Sequence, residues 1–154
     1  MKSLLVLALC AGVARADVKI VELAGQPALT KTIKVKPAEL AAAMQKAILG
    51  LVAAADVVTG PPFARYLARG KTFVVEVGVP VRNAKAALPA GRAAVVEFRG
   101  PHAKLAAAHA ELDAWLAANK RAAVGPRWEV YVTNPITTPD PDAQTTRVYA
   151  PLAK

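Results

Sequence analysis

The feature that most restricts the fold of this chain is a repeat at a spacing of 65 residues. Four pairs of similar residues share that spacing and keep one order along the chain: Leu40 and Leu105, Gly60 and Gly125, Phe63 and Trp128, Tyr66 and Tyr131. Chance could supply any one pair, but all four at one offset indicate an internal duplication. The length of 154 residues suits a single domain. The repeat therefore predicts two copies of one small unit within one domain.

Each copy is predicted to contain a strand, a helix and two further strands. Runs of β-branched and aromatic residues bounded by glycine and proline mark extended segments at 18–23, 28–35, 63–67, 72–81, 91–99, 128–133 and 145–150. Apolar residues at helical spacing mark two helices, one opened by Pro37 and one that follows Gly100 and Pro101. A lone βαββ unit leaves a sheet edge and one face uncovered, so the two copies should share one sheet. We expect an α+β fold in which duplicated βαββ units form an antiparallel sheet with two main helices and a groove between the halves.

Residues 1–16 have the form of a signal peptide. Lys2 precedes the apolar residues 4–13, which are too few to span a bilayer, and the segment ends in a small-x-small cleavage pattern, Ala-Arg-Ala. Cleavage would leave 17–154 as the mature domain, with halves at 17–82 and 91–154 and a linker at 83–90. It predicts a periplasmic or secreted protein with no stable membrane insertion. Lipidation of Cys10 is the alternative, and the bulky Leu9 before it disfavours that processing.

The formal net charge of +9 raises the question of an anionic partner. Lysine and arginine are scattered along the chain, with no run of five or six like charges and no basic stretch interleaved with aromatic residues. This distribution is typical of a solvated surface. We therefore expect no nucleic-acid partner.

The strand at 128–133 carries the clearest chemical signal. Strand side chains alternate, so Glu129 and Tyr131 share one face while Trp128 lies on the other. The carboxylate either faces outward on a half-solvated sheet or lines a concave pocket, where desolvation would raise its pKa. At the 65-residue spacing the counterpart of Glu129 is Ala64, so the acid belongs to one half only. A purely structural sheet offers no reason for that asymmetry.

Three separated blocks resemble the GyrI-like small-molecule-binding domains: GPPFARY at 60–66, VEVGVPV at 75–81 and WEVYVTNP at 128–135. These domains are the effector-binding parts of multidrug-responsive regulators of the AraC and MerR types, and they also occur alone. The resemblance covers essentially the whole predicted mature chain. It implies a duplicated βαββ fold with a ligand groove between the halves. It also implies that Glu129 lies in that groove among aromatic residues, where relatives meet cationic or amphipathic ligands.

Other residues offer little chemistry. His102 and His109 lie seven positions apart, about 10 Å along a helix, which is too far to share a metal ion. We interpret His102 as a surface residue and His109 as a residue on the flank of the helix. The chain has no Gly-x-Ser-x-Gly motif and no haem-attachment Cys-x-x-Cys-His, and its single cysteine falls in the predicted signal peptide. We predict no metal and no cofactor. A general acid/base role is open to Glu129 or Glu76, and Glu129 is the residue that a hydrolase would use.

Together these observations favour an exported small-molecule-binding protein over an enzyme. We predict a site with Glu129 as acidic anchor and Tyr131, Tyr66 and Trp128 as walls, although alternation turns Trp128 away unless the strand bulges. The expected partner is a small amphipathic or cationic molecule. Two alternatives stay open: a hydrolase of reactive small molecules that uses Glu129, as some standalone relatives are, and a structural or interaction module with an occluded groove.

Overall fold

Short apolar segments form the strands of a sheet, and two alanine-rich segments form helices that pack on one face of it. The computed structural model describes residues 17–154, so the predicted signal peptide and Cys10 lie outside the described residues. The strands are β1 (Lys19–Leu23), β2 (Gln26–Val35), β3 (Phe63–Ala68), β4 (Phe73–Pro80), β5 (Ala86–Leu88), β6 (Gly91–Arg99), β7 (Trp128–Tyr131) and β8 (Thr145–Pro151). The helices are α1 (Leu40–Ala54) and α2 (Leu105–Ala118), and one 3-10 turn precedes each, Pro37–Glu39 and His102–Lys104. The predicted α+β class is confirmed.

The strands form a single antiparallel sheet in the order β1-β6-β8-β7-β3-β4-β2-β5. We call β2, α1, β3 and β4 the first half and β6, α2, β7 and β8 the second half. The halves meet at the centre of the sheet, where β3 pairs with β7. At this seam Ala64 lies directly opposite Glu129. The expectation of one continuous layer across the halves is confirmed.

The two short outer strands cross between the halves. β1 comes just before β2 in the chain but pairs with β6, whereas β5 comes just before β6 but pairs with β2. The linker expected at 83–90 therefore contains a strand. Its alanine-rich sequence carries no local strand signal. The strand forms because it pairs with β2, which is distant in the chain. This exchange means that neither half completes its sheet alone.

The two faces of the sheet hold separate apolar clusters. Buried residues of both helices pack on one face, against Ala64 and Val148 among others. Phe63 and Trp128 belong to the cluster on the opposite face. There the Phe63 ring fills the space above Gly78, whose hypothetical Cβ would lie 2.1 Å from Phe63 Cζ, so only glycine fits. Because strand side chains alternate, Glu129 faces the helices and its neighbour Trp128 faces away.

Helix α1 is apolar on its outer side as well as its inner side. Pro37–Ala54 is the one segment of the described residues that is long and apolar enough to cross a membrane by those two criteria. In the fold, Met44 and Ala47 pack against the sheet, while Leu49 and Val52 are exposed. The length and composition of this segment therefore also fit a helix that packs on a sheet, as it does in this fold.

Candidate functional site

Glu129 is the only buried charged residue in the described part of the chain, with 3% of its surface exposed. Its Oε2 accepts hydrogen bonds from the hydroxyls of Tyr131, at 2.7 Å, and Tyr66, at 3.1 Å. Its Oε1 lies 2.7 Å from Nε2 of His109. A carboxylate offers about four acceptor positions, and three of them are filled here by protein groups.

The strand pairing explains why two tyrosines reach one carboxylate. Tyr131 follows Glu129 by two positions in β7 and therefore shares its face. Tyr66 follows Ala64 by two positions in β3, and Ala64 is the cross-strand partner of Glu129. Tyr66 thus occupies a position diagonal to Glu129, a distance that a tyrosine side chain can bridge. Three of the four predicted site residues are brought together at the seam.

Trp128, the fourth predicted site residue, lies on the other face. It is buried there beside Phe63, and its ring stacks on that of Tyr149 with 5.2 Å between centroids and 3° between planes. The strand does not bulge at this point, so alternation directs the indole away from Glu129. Trp128 packs on the face of the sheet opposite Glu129 and does not line the site.

His109 is placed by α2, one turn after its buried Leu105. Leu105, Ala108 and Leu112 face the sheet, and His109 lies at the edge of that stripe with 15% of its side chain exposed. This position agrees with the predicted place of His109 on the helix flank, but its contact with Glu129 was not predicted. His102, ahead of the helix, is more exposed, and its ring centroid lies 5.2 Å from that of Tyr131. Partial burial lowers the pKa of His102, and the charge on Glu129 opposes that shift.

Arg69 completes the surroundings of Glu129 from the turn that follows β3. Its Nη2 lies 3.8 Å from Glu129 Oε1. Its guanidinium carbon lies 3.9 Å from the centroid of the Tyr66 ring and 5.9 Å from that of Phe73. The side chain is 49% exposed, so Arg69 covers the site from the solvent side.

These contacts determine the protonation of the site. Burial alone would raise the pKa of Glu129, but hydrogen bonds from His109, Tyr131 and Tyr66, together with the charge of His109, lower it below 4.5. Desolvation therefore acts in the expected direction, but the donors outweigh it, and the expected net rise of the Glu129 pKa is wrong. Burial and the nearby Glu129 charge raise the pKa values of Tyr66 and Tyr131. At neutral pH the tyrosines are neutral donors and the carboxylate is ionised, so His109 Nε2 carries the proton of their hydrogen bond.

A cavity of about 370 Å³ opens beside this cluster. It is lined by Tyr66, Leu67, Ala68, Arg69, His109, Asp113 and Arg127. Three of these residues are partners of Glu129, yet the carboxylate itself does not line the cavity. Arg127, which directly precedes β7, forms an ion pair with Asp113 of α2 at the rim of the cavity. Access to Glu129 from the cavity therefore requires one of its partners to move.

A second cavity, of about 430 Å³, lies near the turn between β1 and β2. Its lining is Ala24, Gly25, Gln26, Pro27, Thr59, Val81 and Arg82. It has one charged residue and no buried titratable group, so it lacks the convergent polar groups of a specific site. Among residues 17–154, no group of three histidine, cysteine or acidic residues is arranged to hold a metal ion.

Sequence reasoning missed His109 and Arg69 as partners of Glu129. One signal was available for His109. It occupies the fifth position of α2, and the fifth position of α1 is Met44. The replacement of methionine by histidine thus accompanies the replacement of alanine by Glu129 at the same spacing. No comparable signal existed for Arg69, whose position depends on how the turn after β3 folds back.

The sequence matches the family described as "GyrI-like small molecule binding domain" over residues 16–153. No curated protein sequence matches it. EcmrR has a similar structure, both in its complex with DNA (TM-score 0.76, 17% identity, 91% of this chain and 58% of that chain) and as its isolated C-terminal domain (0.71, 17%, 90% and 98%). The chain thus spans 58% of the length of EcmrR in the DNA complex.

Two further structures are similar over nearly the whole of both chains. One is described as a hydrolase from Listeria innocua (TM-score 0.69, 12% identity, 90% of this chain and 93% of that chain). The other is SAV2435 bound to tetraphenylphosphonium (0.63, 14%, 89% and 94%). At identities this low, the similarity establishes the fold alone.

Proposed function

The chain belongs to the GyrI-like family of small-molecule-binding domains, and from that membership we propose that it binds an amphipathic cation whose charge is held near Glu129. The observation that carries the proposal is an ionised carboxylate buried beneath aromatic rings. Tyr66 and Tyr131 both contact Glu129, and the Phe73 ring stands edge-on to Tyr66 with 6.4 Å between centroids. A negative charge beside aromatic faces is the chemistry that attracts soft organic cations.

The hydrogen bonds to Glu129 support a particular kind of cation. Because Tyr66, Tyr131 and His109 already fill most of the acceptor positions, an incoming cation gains little from donating further hydrogen bonds. It gains instead from charge and from ring contact. Phosphonium and quaternary ammonium ions with apolar substituents meet that description. SAV2435, a protein of the same fold, is described as bound to tetraphenylphosphonium.

The size of the open cavity supports a ligand of modest dimensions. Its volume of about 370 Å³ lies at the lower end of the range usual for small-molecule sites. The cavity is lined by two arginines, Arg69 and Arg127, and one aspartate, Asp113. The rim therefore has no excess of negative charge that would attract a cation from a distance. Selectivity for charge then depends on the contact with Glu129 itself.

Two probes of nearly equal shape and opposite charge test the proposal. We expect tetraphenylphosphonium to bind, measured by calorimetry, and tetraphenylborate not to bind. Glu129→Gln should weaken phosphonium binding by roughly ten- to a hundredfold, the effect of losing a partly buried counter-ion. Glu76→Gln is the matched control, because Glu76 pairs with Arg65 and lies away from the site. Equal binding of both probes, or an unchanged affinity in Glu129→Gln, would contradict the proposal.

A second candidate is hydrolysis of a reactive small molecule with Glu129 as base. The hydrogen bond between Glu129 and His109 favours it, because the pair could take up and pass on a proton. The lowered pKa makes Glu129 a weak base and leaves it without a proton to donate at neutral pH. If this candidate is right, Glu129→Gln abolishes turnover and leaves substrate binding nearly intact. Failure of every cation and every substrate tested would favour the third possibility, a structural or interaction module.

Export and duplication remain proposals of their own. We propose that 1–16 is removed on export, which leaves a periplasmic or secreted protein beginning at Asp17, and that the two halves descend from one βαββ unit. The cleavage pattern supports the first, and the shared 65-residue spacing of the elements supports the second. Intact-mass analysis of the protein from its native source tests the cleavage. A mass that corresponds to a lipid-modified Cys10 would contradict it.

A further inference from the structure

Arg69 makes the contacts that a bound organic cation would make. It stacks over the Tyr66 ring at 3.9 Å, stands near the Phe73 ring at 5.9 Å and approaches Glu129 Oε1 to 3.8 Å. The guanidinium is a planar, delocalised cation that favours aromatic faces. Charge, ring contact and position all coincide with those of the ligand class proposed above.

Arg69 is also held more loosely than the other partners of Glu129. The tyrosine hydroxyls and His109 lie at 2.7–3.1 Å from the carboxylate oxygens, whereas 3.8 Å is too long for a hydrogen bond from Arg69. The side chain is half exposed and is followed by Gly70 in the short turn between β3 and β4. It can leave the site without breaking a hydrogen bond to Glu129.

We propose that Arg69 is a built-in occupant of the cation site, and that an external ligand must displace it to reach Glu129. This inference rests on the proposed function and adds two statements to it. The affinity of the protein for cations is set by competition with Arg69. The ligands that compete best are monocations with a delocalised or soft charge between apolar groups, because the site already selects such a group from its own chain.

The first test removes the occupant. Arg69→Ala should bind tetraphenylphosphonium about tenfold more tightly than the wild type, because no internal cation has to leave. Lys71→Ala is the matched control, since it removes one positive charge from the same turn, and its affinity should change by less than about twofold. Arg69→Gln serves as a second variant should Arg69→Ala fold poorly by circular dichroism. Equal or weaker binding by the Arg69 variants, or an equal gain in Lys71→Ala, overturns the inference.

The second test refills the site with a free guanidinium. Butylguanidinium should bind Arg69→Ala in the millimolar range, followed by the ring signals of Tyr66 and His109 in NMR spectra, and bind the wild type at least about tenfold more weakly. Butylurea, which is planar, similar in size and uncharged, should bind neither protein. The double variant Arg69→Ala with Glu129→Gln should not bind butylguanidinium. Equal binding to wild type and Arg69→Ala, or binding of butylurea, overturns the inference.

The two tests separate this inference from the proposed function. If no variant binds tetraphenylphosphonium but butylguanidinium refills Arg69→Ala, Arg69 is the internal occupant and the proposed ligand is wrong. If the wild type binds tetraphenylphosphonium through Glu129 and Arg69→Ala binds it no more tightly, the proposed function stands and the inference falls. If neither probe binds Arg69→Ala, both fall.

Discussion

The two halves of this protein place opposite chemistry on the same backbone. In the second half, His109 of α2 contacts Glu129 of β7. At the equivalent positions of the first half, the helix carries Met44 and the strand carries Ala64, and both belong to the apolar cluster between the helices and the sheet. Acid and histidine are thus present together in one half and absent together from the other. The comparison indicates that a charged residue is buried in this core only together with a residue that hydrogen-bonds to it.

The pairing of the strands explains why the acid is confined to one half. Ala64 and Glu129 are equivalent positions, and they are also direct cross-strand partners. A glutamate at both positions would set two carboxylates opposite each other, at a Cβ separation of roughly 5 Å in a buried environment. Like charges so placed oppose each other's ionisation. The seam can therefore hold one acid, and Tyr66 of the first half serves the acid of the second.

The largest expected effect follows from cutting the halves apart. The fragments 17–82 and 91–154 should each fail to fold, because β1 pairs with β6, β5 pairs with β2, and β3 pairs with β7. The intact domain should unfold in one cooperative transition, measured by urea denaturation. A well-dispersed NMR spectrum from either fragment as a monomer would show that the halves are independent.

The next largest effect comes from making the seam symmetric. Ala64→Glu should destabilise the protein by about 4 kcal/mol or more, because it overfills a fully buried position and places a second carboxylate opposite Glu129. Ala64→Gln adds nearly the same volume without the charge, so the difference between the two variants in urea denaturation measures the cost of burying a second charge beside Glu129. Equal destabilisation of the two would mean that packing alone confines the acid to one half.

A smaller effect is expected when the histidine is replaced by its counterpart. His109→Met should cost about 2 kcal/mol of unfolding free energy, because Glu129 Oε1 loses its closest donor. Adding Glu129→Ala should cost less than the sum of the two single changes, by about 1–3 kcal/mol, since the double variant has the apolar pair of the first half. Urea denaturation of all four proteins gives the coupling energy. Additive effects would show that His109 and Glu129 do not act as a pair.

The smallest effect is a dependence of stability on pH. The pKa of Glu129 is lower in the folded protein than its ordinary value of 4.5, chiefly through donors that outweigh the effect of burial. Its contribution is therefore fully present above pH 4.5 and is lost as the pH falls through the lower, folded pKa. The stability of wild type relative to Glu129→Gln should shrink over that range, by about 1.4 kcal/mol for each unit of pKa depression. A difference that grows as the pH falls would mean that the pKa is raised.

Much of the fold could be predicted because its signals are local or repeated. Glycine and proline bound the strands, and helical spacing marks α1 and α2, so most elements lie within a few residues of their predicted bounds. The strand predicted at 128–133 ends at Tyr131. β5 was missed because its three residues, Ala86–Leu88, are held as a strand only by their pairing with β2.

The candidate site was also predictable only where local sequence signals place its residues. Alternation places Glu129 with Tyr131 and turns Trp128 away, and the 65-residue spacing makes Tyr66 the counterpart of Tyr131, so the sequence by itself determines which side chains share a face within each strand. The pairing of β3 with β7, which brings Tyr66 to Glu129, is decided by the tertiary structure. The tertiary structure alone decides what closes around the carboxylate, because His109 comes from a helix packed over the sheet and Arg69 from a turn folding back across Tyr66. The sequence leaves open whether Glu129 faces solvent or a pocket, and burial alone predicts a raised pKa. Two of its three hydrogen-bond donors, His109 and Tyr66, lie 20 and 63 positions away in the chain, so only the folded chain reverses the direction of that shift.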